Sequence, residues 1–284
     1  MTKTTTKIIT GAVAAIAVVA TLFVRFGVST GVKGFYVNEY GTITASSTAR
    51  QSAASWVQRQ GCNLVAVYGA TSDMATTSGR AKVSDLVLRY RRAGVRSIGY
   101  PYGSSSGVVN NLNGYNKAVT DSAKFDFVVS EIEPYNTGDY AGFYKSLREA
   151  SNWCKANGLQ SAVYMGWPSE AAWDSIARNA NRVYLHCYRP STGLSGSSQY
   201  GYCKNRLQTL AAKCKAIGKR TSVVIIYSCE PDFSYTYFQS NSWWKPIEDF
   251  KAAWNASATA DMKQWLSIDG TMVFVSEFGK QIKP

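Results

Sequence analysis

From residue 34 onward, short runs of β-branched and aromatic residues alternate with stretches whose apolar positions recur every three to four residues. Alternation of this kind predicts repeated βα units. The expected strands are Phe35–Tyr40, Leu64–Tyr68, Val95–Tyr100, Phe125–Glu131, Ser161–Met165, Arg182–Tyr188, Ser222–Tyr227 and Met272–Ser276. Several are nearly continuous in apolar residues, as strands covered on both faces are. Between them, Val83, Leu86, Val87 and Tyr90 fall at i, i+3, i+4 and i+7 ahead of Gly94. Phe143, Leu147, Ala150 and Cys154 do the same ahead of Gly158, and Leu207, Leu210, Ala211 and Cys214 ahead of Gly218. Ser169 is placed to cap a further helix, and Pro246 fits a first helical turn.

Eight strands over about 250 residues predict a single-domain α/β architecture, a closed (β/α)8 TIM barrel over residues 34–284, because closure leaves no strand edge exposed. An open doubly wound sheet is the alternative. Residues 1–33 read as a targeting segment. Ile8–Val24 is an uncharged run preceded by Lys3 and Lys7 and closed by Arg25. As a helix it would measure about 26 Å, just short of a bilayer core. The absence of a small-x-small cleavage pattern favours a signal anchor over a cleaved signal peptide. Either places the barrel outside the cytoplasm, secreted or tethered to a membrane.

Composition narrows the picture further. With 45% hydrophobic and 17% charged residues, the chain is not a disordered tail. The net charge of +13 favours anionic surroundings such as a cell-wall polymer or lipid headgroups without fixing a partner. No nucleic-acid module accompanies it, so nucleic acid is not expected. None of the six cysteines forms a CxxC or CxxH spacing, and no GxGxxG or Walker pattern occurs. No metal and no cofactor are therefore expected. The cysteines fit core positions, although an exported chain leaves room for one disulfide.

In a barrel, functional groups belong at the carboxyl ends of the strands. Only 18 acidic residues occur in the chain, yet Glu131, Glu133, Glu230 and Glu277 cluster at expected strand ends. Glu131 and Glu133, two apart, should share a face, and two carboxyls so close raise one pKa, as a general acid requires. Either could instead form an ion pair with Arg96 or Arg182. Tyr100, Tyr102, Tyr135, Trp167 and Tyr188 offer flat apolar faces suited to sugar rings. Candidate substrate-binding residues are Asn38, Tyr100, Tyr135, Trp167, His186 and Glu277. His186, the only histidine, lacks a GxSxG elbow and reads as a pocket residue rather than a triad base.

The stretch Asp126 to Glu133 resembles the DxxDxDxE signature of family 18 glycoside hydrolases, the chitinase and endo-β-N-acetylglucosaminidase group. Asp126 and Glu133 match. Glu131 stands at the last Asp and Val129 at the middle one. Tyr184–Tyr188 lies where that family has a Tyr-Asp pair, with Arg189 in place of the Asp. The resemblance implies that Glu133 protonates the leaving oxygen, that Glu131 orients the attacking acetamido group, and that Tyr188 donates to its carbonyl. Glu133 and Glu230 also stand where many retaining barrel glycosidases keep acid and nucleophile, with Ile132 replacing the usual Asn before the acid. A glycosidase acting on an extracellular or cell-wall polysaccharide is the expectation. A degenerate barrel that binds glycan at the cell surface without cutting it is the alternative.

Overall fold

The computed structural model describes residues 31–103, 108–194 and 196–275. Eight parallel strands follow one another around a closed barrel in chain order. They are β1 (Val32–Val37), β2 (Leu64–Val67), β3 (Ser97–Tyr102), β4 (Phe127–Ser130), β5 (Gln160–Met165), β6 (Arg182–His186), β7 (Thr221–Ser228) and β8 (Leu266–Val275). The barrel closes where β1 pairs with β8, from Val32 opposite Gly270 to Val37 opposite Val275. The principal crossover helices are α1 (Ser47–Arg59), α2 (Thr77–Arg92), α3 (Val108–Ala118), α4 (Tyr140–Ala156), α5 (Glu170–Asn179), α6 (Gly196–Ala216) and α7 (Lys245–Ser257). Ser169 caps α5 by accepting from the Ala172 N–H, and Pro246 lies in the first turn of α7. The targeting run Ile8–Val24 lies outside the described residues, and among those described no helix is long and apolar enough to cross a membrane.

Two packed layers hold the sheet. Residues of one phase, including Val32, Tyr36, Leu64, Phe127, Val129, Ala162, Tyr164, Tyr184, Val224, Ile226 and Met272, fill the barrel interior. Those of the other phase, such as Phe35, Val65, Ile98, Val128, Val163 and Val223, pack under the helices. Gly99 gives the interior its room, since a Cβ there would lie 2.2 Å from the Phe127 ring. All six cysteines are buried and free, so none of them forms a disulfide.

Two strands depart from their expected limits for physical reasons. β3 runs on through Pro101 to Tyr102, because its pairing with β2 stops at Gly99 and the proline breaks no ladder bond on that side. β8 starts at Leu266, well before Met272, across a stretch that includes Ser267, Asp269 and Gly270. A register shift between Val223 and Val224 absorbs an extra residue there. Asp269 then meets Ser222 and lies 3.9 Å from Arg182, a polar cluster at the foot, the end where the strands begin.

Candidate functional site

β4 ends at Ser130, and Glu131 continues in phase with the interior residues Phe127 and Val129. Its half-buried carboxyl has a pKa pushed up to about 7. Burial is the largest cause; the charge of Glu133 adds to it, and the adjacent Tyr36 hydroxyl opposes it. Glu133 stands just ahead of the short helix Pro134–Thr137. Its Oε1 accepts a hydrogen bond from the Tyr135 hydroxyl, and its Oε2 accepts one from Asn136 Nδ2 at 2.9 Å. The Gly166 N–H donates to that same Tyr135 hydroxyl at 3.3 Å, so the end of β5 helps to steer the β4 carboxyl. A side chain at Gly166 would obstruct this: its Cβ would lie 2.7 Å from the Tyr135 oxygen and 2.8 Å from His186 Nδ1.

The end of β6 contributes His186 and Tyr188. His186 is buried, and its Nε2 stands 3.8 Å from Glu133 Oε1. Burial, and then the charge of Arg206, hold its pKa down to about 3, so the ring is neutral. The Tyr188 and Tyr164 hydroxyls bond to each other. Burial raises both phenols well above their ordinary range. Beyond burial, Glu230 and Glu131 act on Tyr188, and Glu131 and Glu133 act on Tyr164. The carboxyls that follow β4 and β7 therefore act on one tyrosine pair. Glu230 is oriented by Ser228, whose Oγ donates to Oε2 at 2.6 Å.

At the rim, Trp167 is 53% exposed, with Tyr202 edge-on at 5.4 Å and the buried Arg206 guanidinium 4.1 Å from its ring. Asn38 is exposed just past β1. Tyr100 is a correction: it points outward among the helices, fully buried, with its hydroxyl 2.6 Å from Thr71 Oγ1. Tyr102 shares that outward layer. Glu277 lies outside the described residues. Asp126 sits at the foot, accepting from Arg91 and from the Ile98 N–H at 2.6 Å each, away from the carboxyls at the mouth. Arg182 is likewise engaged at the foot, and among the described residues no Lys or Arg pairs with Glu131, Glu133 or Glu230.

Sequence reasoning passed over Tyr36, Tyr68 and Tyr164. Tyr36 and Tyr164 sit inside apolar strand runs, where an aromatic reads as core. Tyr68, 37% exposed just after β2, has its phenol pKa raised by burial and then by Glu131, which places it at the same mouth. Among the described residues no group of three or more His, Cys, Asp or Glu side chains converges as metal ligands do.

No family model and no curated protein matches the chain. Solved structures share its fold. An active-site mutant of Rhizomucor miehei β-1,3-glucanosyltransferase in complex with laminaritriose matches with a TM-score of 0.55 at 11% identity, over 89% of this chain and 96% of that one. A glycoside hydrolase family 17 β-1,3-glucanosyltransferase from Rhizomucor miehei gives 0.53 at 11% identity over 85% of each chain. The catalytic domain of the Bacillus sp. JAMB-750 family 26 endo-β-1,4-mannanase gives 0.52 at 11% identity, over 87% of this chain and 77% of that one. These neighbours are TIM-barrel glycoside hydrolases, and none of the three is a family 18 protein. The likeness shows the (β/α)8 fold, while function is argued from the site.

Proposed function

We propose that this barrel hydrolyses a glycosidic bond in an extracellular or cell-wall polysaccharide. The observation that carries the reading is that Glu131, Glu133 and Glu230, which follow β4 and β7 at the mouth, act on the Tyr164–Tyr188 pair, with no Lys or Arg paired to any of them among the described residues. Acids left free of ion pairs beside exposed aromatic faces suit the protonation of a sugar oxygen. The names of the structural neighbours, a β-1,3-glucanosyltransferase and an endo-β-1,4-mannanase, fit a polysaccharide substrate.

In this proposal Glu133, held by Tyr135 and Asn136, delivers a proton to the leaving glycosidic oxygen. Glu131, with its pKa near 7, keeps a proton into the neutral range and orients the attacking group. Attack comes either from the substrate's own acetamido oxygen, as the family 18 resemblance implies, or from Glu230 as nucleophile, and water that gives its proton back to Glu133 then releases the sugar from the resulting intermediate. Of the two O–H groups in the tyrosine pair, one is spent in the mutual bond and the other remains to donate. Trp167 and Tyr68 offer stacking faces at the rim. The barrel works outside the cytoplasm, a placement that rests on the uncharged run Ile8–Val24 and its flanking lysines.

Glu133→Gln tests the reading. Removing a general acid lowers turnover by roughly 10²–10⁴-fold, so reducing-end release from any polysaccharide the native chain cuts should fall by that factor. Unchanged turnover removes Glu133 from the chemistry. The second reading, a glycan-binding barrel without hydrolysis, is favoured by Val129 and Arg189, which replace two acids of the family 18 pattern. It predicts retardation in glycan-containing gels with no reducing ends released.

A further inference from the structure

The foot of the barrel carries a charge distribution that the chemistry at the mouth does not use. Arg59, Arg92, Lys117 and Lys155 stand in the last turns of α1, α2, α3 and α4. Arg96 and Arg220 lie in the connections that lead into β3 and β7. All six are exposed, and none has an acidic partner among the described residues. The acids of these connections are already matched: Asp126 by Arg91 at 2.6 Å, Asp121 by Lys124 at 2.6 Å and Asp261 by Lys215 at 2.7 Å. Asp269 is spent on Ser222 and Arg182. The surplus at this end is entirely cationic. Complementing helix dipoles accounts for bases in last turns, but not for Arg96 and Arg220, which belong to no helix.

The chain also enters the barrel at this end, because β1 begins there. The apolar run Ile8–Val24 ends eight residues before Val32. At about 3.4 Å per residue, that connection reaches ~27 Å at most. A bilayer that held the apolar run would lie within ~27 Å of the start of β1, and a basic face that comes within a Debye length of about 8–10 Å of anionic headgroups is drawn to them.

We propose that the foot of the barrel is a docking face for an anionic phospholipid bilayer, which turns the mouth away from the lipid. The inference stands independently of what reaction the mouth performs. An anionic wall polymer offers the same charges, but the short connection between the apolar run Ile8–Val24 and the start of β1 favours lipid.

The test uses the full-length chain in vesicles of phosphatidylcholine alone or mixed equally with phosphatidylglycerol, with lysine acetylation read by mass spectrometry. Lys117 and Lys155 should acetylate several-fold more slowly on the anionic vesicles, and high salt should restore their rates. Lys145, exposed in the mouth-side half of α4, should not change. The combined variant Arg92→Glu, Lys155→Glu, Arg220→Glu should abolish the difference at Lys117. Should that variant fail to fold, salt reversal in the native chain decides. Equal rates at Lys117 and Lys155 on both vesicles overturn the proposal. Stronger protection by soluble poly(glycerol phosphate) than by anionic vesicles also overturns it and moves the face to a wall polymer.

Discussion

The imidazole of His186 lies nearly flat against the ring of Tyr188, with centroids 4.7 Å apart and planes 9° from parallel. Tyr164 closes on the same imidazole at 4.0 Å. A histidine packed between aromatics and near a buried arginine stays neutral, so it serves the site as a fixed polar wall beside Glu133 rather than as a cation.

That neutrality makes stability depend on pH in a defined direction. His186 holds a folded pKa of about 3 against an ordinary 6.5, so between these values the unfolded chain binds a proton that the folded chain refuses. Its contribution is complete above 6.5 and is lost as pH falls toward 3. Glu131 runs the other way. Raised from 4.5 to about 7, it contributes fully below 4.5 and loses that contribution as pH rises to 7. Denaturant titrations across pH should show His186→Asn flattening the acid limb. Glu131→Gln should flatten the neutral limb and stabilise the protein at pH 8 by an order of 1–3 kcal/mol. Curves parallel to the native one would remove both assignments.

Gly166→Ala should damage function more than fold. The added methyl presses on the Tyr135 hydroxyl and on His186, the two groups set around Glu133. Overpacking of this kind costs about 1–3 kcal/mol. Thermal melting should report a loss in that range, while reducing-end release falls by at least tenfold. Native activity in a folded variant would show that Tyr135 does not position Glu133.

Trp167→Ala separates binding from folding. The ring is more than half exposed and touches the Tyr202 edge and the Arg206 guanidinium, the latter contact worth about 0.5–2 kcal/mol. Stability should change within that range, while retardation by soluble polysaccharide in affinity gels should weaken several-fold. Equal retardation would take the ring out of glycan recognition.

Gly99→Ala addresses the barrel itself. Its Cβ would sit 2.2 Å from the Phe127 ring, inside a filled interior. A loss of about 1–3 kcal/mol or more is expected, and Phe127→Leu introduced alongside it should recover part of that loss. A double variant as unstable as the sum of the two single changes would show that the residues do not compete for space.

The strands were legible because runs such as Leu64–Val67 and Thr221–Ser228 are apolar on both faces, and their helices announced themselves through Ser169 and Pro246. That same two-sided burial hid which face a given aromatic takes. Tyr36 and Tyr164 point into the barrel and Tyr100 points out, although all three sit in apolar company. Glu131 stood out in the sequence because a carboxylate is costly in such surroundings. The opening of β8 was hidden because Ser267, Asp269 and Gly270 break the apolar pattern, and Ser222 and Arg182, both far away in the chain, give Asp269 its reason to be there.

Arg206 reaches from α6 to the Gly166 carbonyl at 2.8 Å while its guanidinium underlies Trp167. The indole is thereby clamped to a long helix before any ligand arrives. A sugar ring that settles on it would find a surface already immobilised, so association would forfeit little rotamer freedom and more of the contact would survive as affinity.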